Sequence, residues 1–229
     1  MYQNILLDLD DTILDFGASE NFAFQKVTES LGVPYTPALL ANYKHYNQEL
    51  WRQIEKNTLS KADLIVQRFP GFFSRYGIQG LAGREIDDQF RAYLAEGGHV
   101  IAGAQQLLID LKANGHRVYA ASNGIYDTQI NRLEHAGLIK YFDDLFISEK
   151  IGYNKPHIGF FTYAFQAIGS QANSSSLMVG DSLTSDIKGA NTAKIPAVWF
   201  NPKGLSAPSD LTINYEISGL EQLYPIIDL

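Results

Sequence analysis

Apolar positions along this chain fall into two kinds of run. The first kind is short and continuous. Ile5, Leu6 and Leu7 stand together between Asn4 and Asp8, and a run without alternation predicts a strand buried on both faces. Residues 117–121 ending at Ser122, 176–180 ending at Asp181, and 197–200 ending at Asn201 have the same form, with 145–147 a shorter candidate. The second kind repeats every three to four positions. Ala104, Leu107, Leu108 and Leu111 share one helical face, as do Phe161, Ala164, Phe165 and Ile168. Strand and helix alternate from about residue 100 onward, which predicts an α/β fold with a doubly wound parallel sheet.

The segment 15–96 breaks this alternation. It is far longer than one crossover helix. Phe24, Val27 and Leu31 fall on one helical face, Thr36-Pro37 reads as a helix start, and Ser60-Lys61-Ala62-Asp63 reads as a capping box before Leu64. Gly97-Gly98 then marks a return. A helical subdomain is therefore expected over 15–96, between a core formed by 1–14 and 97–229.

Composition narrows the possibilities. The chain has 229 residues, enough for one core and a small accessory domain. There is no cysteine, so disulfides and thiolate metal sites are excluded. No apolar stretch is long enough to span a bilayer, and no basic segment precedes the first apolar run, so a cytoplasmic location is the expectation. The net charge of −7 without a basic block argues against a nucleic-acid polymer as partner. A small anionic substrate remains compatible, provided a local site supplies cations.

Ligands of open α/β sheets bind outside the carboxyl ends of the strands. Three predicted strand ends carry polar residues: Asp8 through Thr12, Ser122-Asn123-Gly124, and Asp181-Ser182. Asp8 and Asp10 suit two separate jobs, a nucleophile that also binds metal and a proton shuttle for the leaving oxygen. Read alone, they make an acidic turn. Asp181 at a second strand end completes an oxygen-only site of the kind Mg²⁺ takes. Asp186 either caps a helix or orients Lys155 by an ion pair. The Ser122 hydroxyl, the backbone near Asn123 and Gly124, and the Lys155 ammonium would meet the oxygens of a phosphoryl group in transfer. Alone, Ser122 reads as a loop residue and Lys155 as a solvated charge; their order in the chain gives them weight. The five histidines show no ligand spacing.

Together these strings resemble the haloacid dehalogenase superfamily. Asp8-Leu9-Asp10-Asp11-Thr12-Ile13-Leu14 is similar to its first motif, Ser122-Asn123-Gly124 to the second, Lys155-Pro156 to the third, and Gly180-Asp181 through Asp186 to the fourth. The resemblance implies a Rossmann-like core with a helical cap, a phospho-aspartyl intermediate on Asp8, and Mg²⁺ held by Asp8, the backbone carbonyl of Asp10, and Asp181. Asp10 argues against dehalogenation, because a departing halide needs no proton. Ser122 stands where many members have Thr and keeps the hydroxyl.

A narrower resemblance, to bacterial pyrimidine 5′-nucleotidases, rests on the string 43–51, Asn123-Gly124-Ile125, Arg132-Leu133-Glu134, Tyr141-Phe142-Asp143 and Ile147-Ser148-Glu149. It implies a mononucleotide phosphate monoester as substrate. A monomer or homodimer is the separate expectation for assembly. Phe16 and Trp51 are candidates to stack on a base. Tyr43 and Tyr46 are expected instead to be cap core. A sugar-phosphate phosphatase and a phosphomutase share the same core motifs. A phospho-accepting receiver module is the rival from another class; the spacing of Asp8 and Asp10 and the long helical insertion count against it.

Overall fold

The computed structural model describes residues 2–96, 98–169 and 172–228. Gly97, part of the expected return, lies outside the described residues; its neighbour Gly98 has φ +52°. In chain order the elements are β1 (Asn4–Leu7), α1 (Phe16–Ser30), α2 (Pro37–Glu55), α3 (Lys61–Phe73), α4 (Gly83–Glu96), α5 (Ala104–Ala113), β2 (Arg117–Ser122), α6 (Tyr126–His135), β3 (Asp144–Ile147), α7 (Ser148–Ile151), α8 (Ile158–Ile168), β4 (Ser176–Gly180), α9 (Lys188–Ala193), β5 (Ala197–Phe200) and β6 (Tyr215–Ile217), with short 3₁₀ turns and one π turn between them. The chain divides into two compact units, Met1–Phe16 with Gly98–Leu229, and Gly17–Gly97. Among the described residues no helix is long and apolar enough to cross a membrane.

The first unit is a six-stranded sheet in the order β3-β2-β1-β4-β5-β6, parallel at every pairing. Side chains alternate across it as the strand period requires. Ile5, Leu7, Val118, Ala120, Leu177 and Val179 face one core with Leu107, Leu108 and Leu111 of α5. Leu6, Tyr119, Ala121, Met178 and Trp199 face the other with Phe160, Phe161 and Ala164 of α8. Both faces are covered, which is why the strands read as unbroken apolar runs. On α8 the fully buried residues are Phe160, Phe161 and Ala164, with Phe165 and Ile168 only partly buried. Strand β6 was not foreseen: it is three residues long and its first two side chains are exposed.

The second unit is helical. Phe24, Tyr43, Phe69, Phe72, Phe73 and Phe90 are all buried in its interior, with Phe24 stacked on Tyr43 at 4.2 Å between centroids. Leu31, expected on the face of α1, lies one residue past its end. The Thr36 hydroxyl accepts from Leu39 N at 3.1 Å and caps α2, with Pro37 in the first turn. The Ser60 hydroxyl accepts from Asp63 N at 3.0 Å and donates to the Asp63 carboxylate at 2.6 Å, which closes the start of α3.

Candidate active site

Strand order sets the site. β2, β1 and β4 are neighbours, and Leu7 pairs with Ala120 on one side and Val179 on the other. The residues that follow these positions therefore emerge side by side: Ser122 at the end of β2, Asp8 just after β1, and Asp181 just after β4. The Asp8 N–H still donates to Val179 O at 2.9 Å, so the ladder runs up to the carboxylate. The chain leaves β1 for β2 on one side and later adds β4 on the other, so the gap between β1 and β4 is the topological switch point where such sheets bind ligands.

Lys155 is the hub. It is 1% exposed, and its ammonium donates to Asp8 Oδ1 and to Asp186 Oδ1, each at 2.6 Å. Its third contact is the carbonyl of Ala121. An ammonium has three donors, so all three are engaged, and Lys155 offers a phosphate positive charge rather than an idle N–H. Burial pulls the Lys155 pKa down, but Asp186 and Asp8 outweigh it and the group is held above its usual value. The Asn123 amide clamps the backbone of this lysine, donating to Lys155 O at 2.9 Å and accepting from Lys155 N at 2.7 Å. Lys155-Pro156 stands just before α8, which begins at Ile158 with His157 as its cap.

Asp186 is fully buried on the π turn Leu183–Ile187. Its Oδ1 pairs with Lys155, while Oδ2 accepts from Ser182 N at 3.0 Å; the cap of this turn is Ser182, whose hydroxyl accepts from Ser185 N. Gly180 makes room for Asp186. A Cβ at Gly180 would stand 2.2 Å from Asp186 Oδ2, closer than a Cβ and an unbonded oxygen approach. The Trp199 indole donates to Asp181 O at 2.9 Å and anchors that turn.

Asp8, Asp181 and Asp186 bring one carboxylate oxygen each to within 4.8 Å of the others. Burial raises the Asp8 carboxyl well above its ordinary range; Lys155 opposes the rise, and Asp186, Asp181 and Asp10 add to it. Burial likewise pushes Asp181 up to about 7, helped by Asp186 and Asp11. One ammonium is too little charge for this many acids. A hard divalent cation with oxygen ligands would let Asp8 and Asp181 ionise together. With both Asp186 oxygens already engaged, Asp8 and Asp181 are the better carboxylate pair, and these residues fit Mg²⁺.

Asp10 belongs to a second cluster beside the first. Its Oδ1 pairs with Arg132 Nη1 and its Oδ2 accepts from Gln129 Nε2 at 2.7 Å. The same Gln129 nitrogen donates to Ser122 Oγ at 2.8 Å, and Gly124 N donates to that oxygen at 3.0 Å. Gln129 had not been singled out in the sequence, and Arg132 had entered only as part of a family-like string.

Phe16 and Trp51, the two candidates for stacking on a base, sit in different surroundings. The Arg132 guanidinium lies 5.5 Å from the centroid of the Phe16 ring. Trp51 packs partly buried against Leu50, Ile54 and Leu64 within the helical unit. Tyr43 is completely buried in the aromatic interior, and Tyr46 packs on Phe72 at 5.7 Å between centroids.

A parallel sheet ordered in this way, with acidic side chains and a buried lysine at its switch point, defines a hydrolase of the haloacid dehalogenase type. The chain belongs to the haloacid dehalogenase-like hydrolases, whose family model matches residues 2–194. It is 36% identical to the pyrimidine 5′-nucleotidase PynA of Streptococcus pneumoniae, over 99% of this chain and 95% of that protein. It is 28% identical to the pyrimidine 5′-nucleotidase YjjG of Escherichia coli, over 97% and 96%. The magnesium-bound crystal structure of the HAD-hydrolase YfnB of Bacillus subtilis superposes with a TM-score of 0.92 at 36% identity, covering 100% of this chain and 99% of that one.

Proposed function

We propose that this hydrolase removes phosphate from a pyrimidine nucleoside 5′-monophosphate through an aspartyl-phosphate on Asp8. The observation that carries the reading is Lys155, buried between Asp8 and Asp186 at 2.6 Å from each, at the ends of adjacent strands. A buried ammonium fixed against a buried carboxylate orients a nucleophile and supplies charge where phosphate oxygens gather. Near-complete coverage of two relatives named as pyrimidine 5′-nucleotidases supports the substrate class.

Asp8, Asp181 and the carbonyl of Asp10 would hold Mg²⁺, which supplies positive charge to the phosphate oxygens. Asp8 attacks phosphorus in line while Lys155 holds its carboxylate. Ser122 donates its hydroxyl to a phosphoryl oxygen. Asp10 gives a proton to the leaving 5′ oxygen, then takes one from the water that attacks the phospho-aspartate. A phosphate-release panel across pyrimidine monophosphates, purine monophosphates and sugar phosphates, with and without chelator, tests the reading. Pyrimidine nucleotides are expected to turn over fastest and the chelator to stop them. Faster turnover of a sugar phosphate than of any nucleotide would overturn the nucleotide assignment and leave the phosphatase one standing.

A further inference from the structure

The geometry points to Gln129 as a positioning residue that sets Ser122 and Asp10 together, with Arg132 fixing which way its amide faces. This rests on the aspartyl-phosphate reading above and deepens it.

Arg132 Nη1 donates to Gln129 Oε1 at 3.1 Å. That contact orients the amide, because a guanidinium only donates. The nitrogen end of Gln129 is thereby turned to Asp10 Oδ2 at 2.7 Å and Ser122 Oγ at 2.8 Å, which uses both of its N–H groups. Two consequences follow. Ser122 Oγ accepts from Gln129 and from Gly124 N, so both its lone pairs are occupied and its own hydrogen must serve as a donor. Among the described residues that hydrogen has no acceptor, as suits a group waiting for a phosphoryl oxygen. Asp10, in turn, is gripped at Oδ1 by Arg132 and at Oδ2 by Gln129, so its carboxylate plane is set.

Gln129 is 1% exposed, and the Arg132 side chain is 3% exposed against 35% for Asp10. The holders are buried and the held carboxylate is open. Stability alone gives no reason for this arrangement. Among the described residues Arg132 Nη2 is buried with no hydrogen-bond partner, and replacing a buried ion pair by apolar side chains of similar volume is often neutral or stabilising. The fit is also close: a Cβ at Gly124 would meet the Gln129 amide at 2.7 Å.

The two half-reactions call on the pair differently. In the first, the bond from an Asp8 oxygen to phosphorus forms, the bond from phosphorus to the leaving oxygen breaks, and that oxygen takes the Asp10 proton. In the second, water attacks phosphorus, the Asp8 oxygen leaves, inorganic phosphate departs and the water's proton returns to Asp10. A nitrophenolate leaves without a proton, so 4-nitrophenyl phosphate needs Asp10 only in the second half.

The test is rapid-mixing kinetics of Gln129→Leu with a pyrimidine nucleotide and with 4-nitrophenyl phosphate. With the nitrophenyl ester we expect a burst of about one nitrophenolate per active site. The steady rate after it should fall on the order of 10²-fold, the scale of a lost general acid or base. With the nucleotide, turnover should fall on the same order with no burst. Equal losses on both substrates without a burst, or unaltered nucleotide turnover, would overturn the proposal. If Gln129→Leu does not fold, Arg132→Lys serves instead: it keeps a charge near Asp10 but loses the planar fork, and the same burst pattern with a smaller loss is expected. Absence of a burst there, or unaltered turnover, overturns it equally. Asp8→Asn, run in parallel, separates the two levels: turnover by that variant sinks the aspartyl-phosphate reading itself, whatever Gln129→Leu does.

Discussion

Lys155 Nζ meets Asp8 Oδ1 at 2.6 Å across 147 residues of chain. The contact joins the end of the first strand to the segment before α8, and Asp186 closes it from a third element. The tertiary fold and the site chemistry thus share one buried charge.

Lys155→Met should cost more than activity. It leaves Asp186, fully buried, and Asp8, largely buried, without their shared cation. Removing one partner of a buried ion pair destabilises by about 3–5 kcal/mol. Urea unfolding at neutral pH should show that loss without Mg²⁺, and a smaller one with Mg²⁺ in excess, because the cation replaces part of the missing charge. A variant as stable as the parent in chelator would mean that Lys155 does not hold these acids together.

Metal binding should be visible without turnover. A ligand that binds only the folded chain stabilises it by RT ln(1 + [L]/Kd), about 2.7 kcal/mol at a hundredfold excess over Kd. The melting temperature should therefore climb with Mg²⁺ concentration and fall back on chelation. Asp181→Asn removes one of the two carboxylates proposed as ligands and should flatten that climb. It should also raise the melting temperature of the metal-free protein, since Asp181 crowds Asp186 and Asp8 there. An unchanged Mg²⁺ response in Asp181→Asn would remove that residue from the ligand set.

The sheet was legible because its strands are covered on both faces, so each wrote an unbroken apolar run that ended in a polar residue. Asp8, Ser122 and Asp181 stood out for that reason. β6 did not, because an edge strand with Tyr215 and Glu216 exposed carries no such run. Gln129 and Arg132 were illegible in physical terms. They lie in the middle of α6, where polar side chains normally face water, and only the folded chain shows them buried and turned toward Asp10. The role of Asn123 was hidden in the same way, since its amide holds the backbone of a residue 32 positions on.

An alkaline prediction concerns the core alone. Tyr224 donates to Asp110 Oδ2 at 2.6 Å, and this hydrogen bond, then burial, pushes the phenol up to about 12 from 10.0. A raised folded-state pKa means that the folded chain keeps its proton after the unfolded chain has lost it. The stabilisation from Tyr224 is therefore full below pH 10 and lost as pH rises toward 12. Tyr224→Phe should cost about 1 kcal/mol at neutral pH, the usual worth of one hydrogen bond. The gap between parent and variant should narrow in melts between pH 10 and 12. A gap that stays constant over that window would show that the phenol's proton does not matter.

The helical unit holds its own buried pair. Arg68 of α3 meets Asp87 of α4, and both side chains are almost wholly enclosed. Arg91 adds a second contact to Asp87 at 2.8 Å. The Arg68 guanidinium also lies 4.7 Å from the centroid of Phe90 and 5.2 Å from that of Phe69, so the charge sits inside the aromatic interior. Arg68→Met keeps most of the volume and leaves Asp87 with Arg91 alone. Unfolding in urea should show a loss of at most about 3–5 kcal/mol, reduced because Arg91 still compensates part of the Asp87 charge. The remainder is mainly the cost of an under-paired carboxylate rather than of missing attraction. The double variant Arg68→Met with Asp87→Leu separates the two. If the stranded charge dominates, the double variant recovers most of the loss despite carrying one more substitution. If the attraction dominates, the double variant is no more stable than Arg68→Met, and the pair is a net stabiliser of the helical unit.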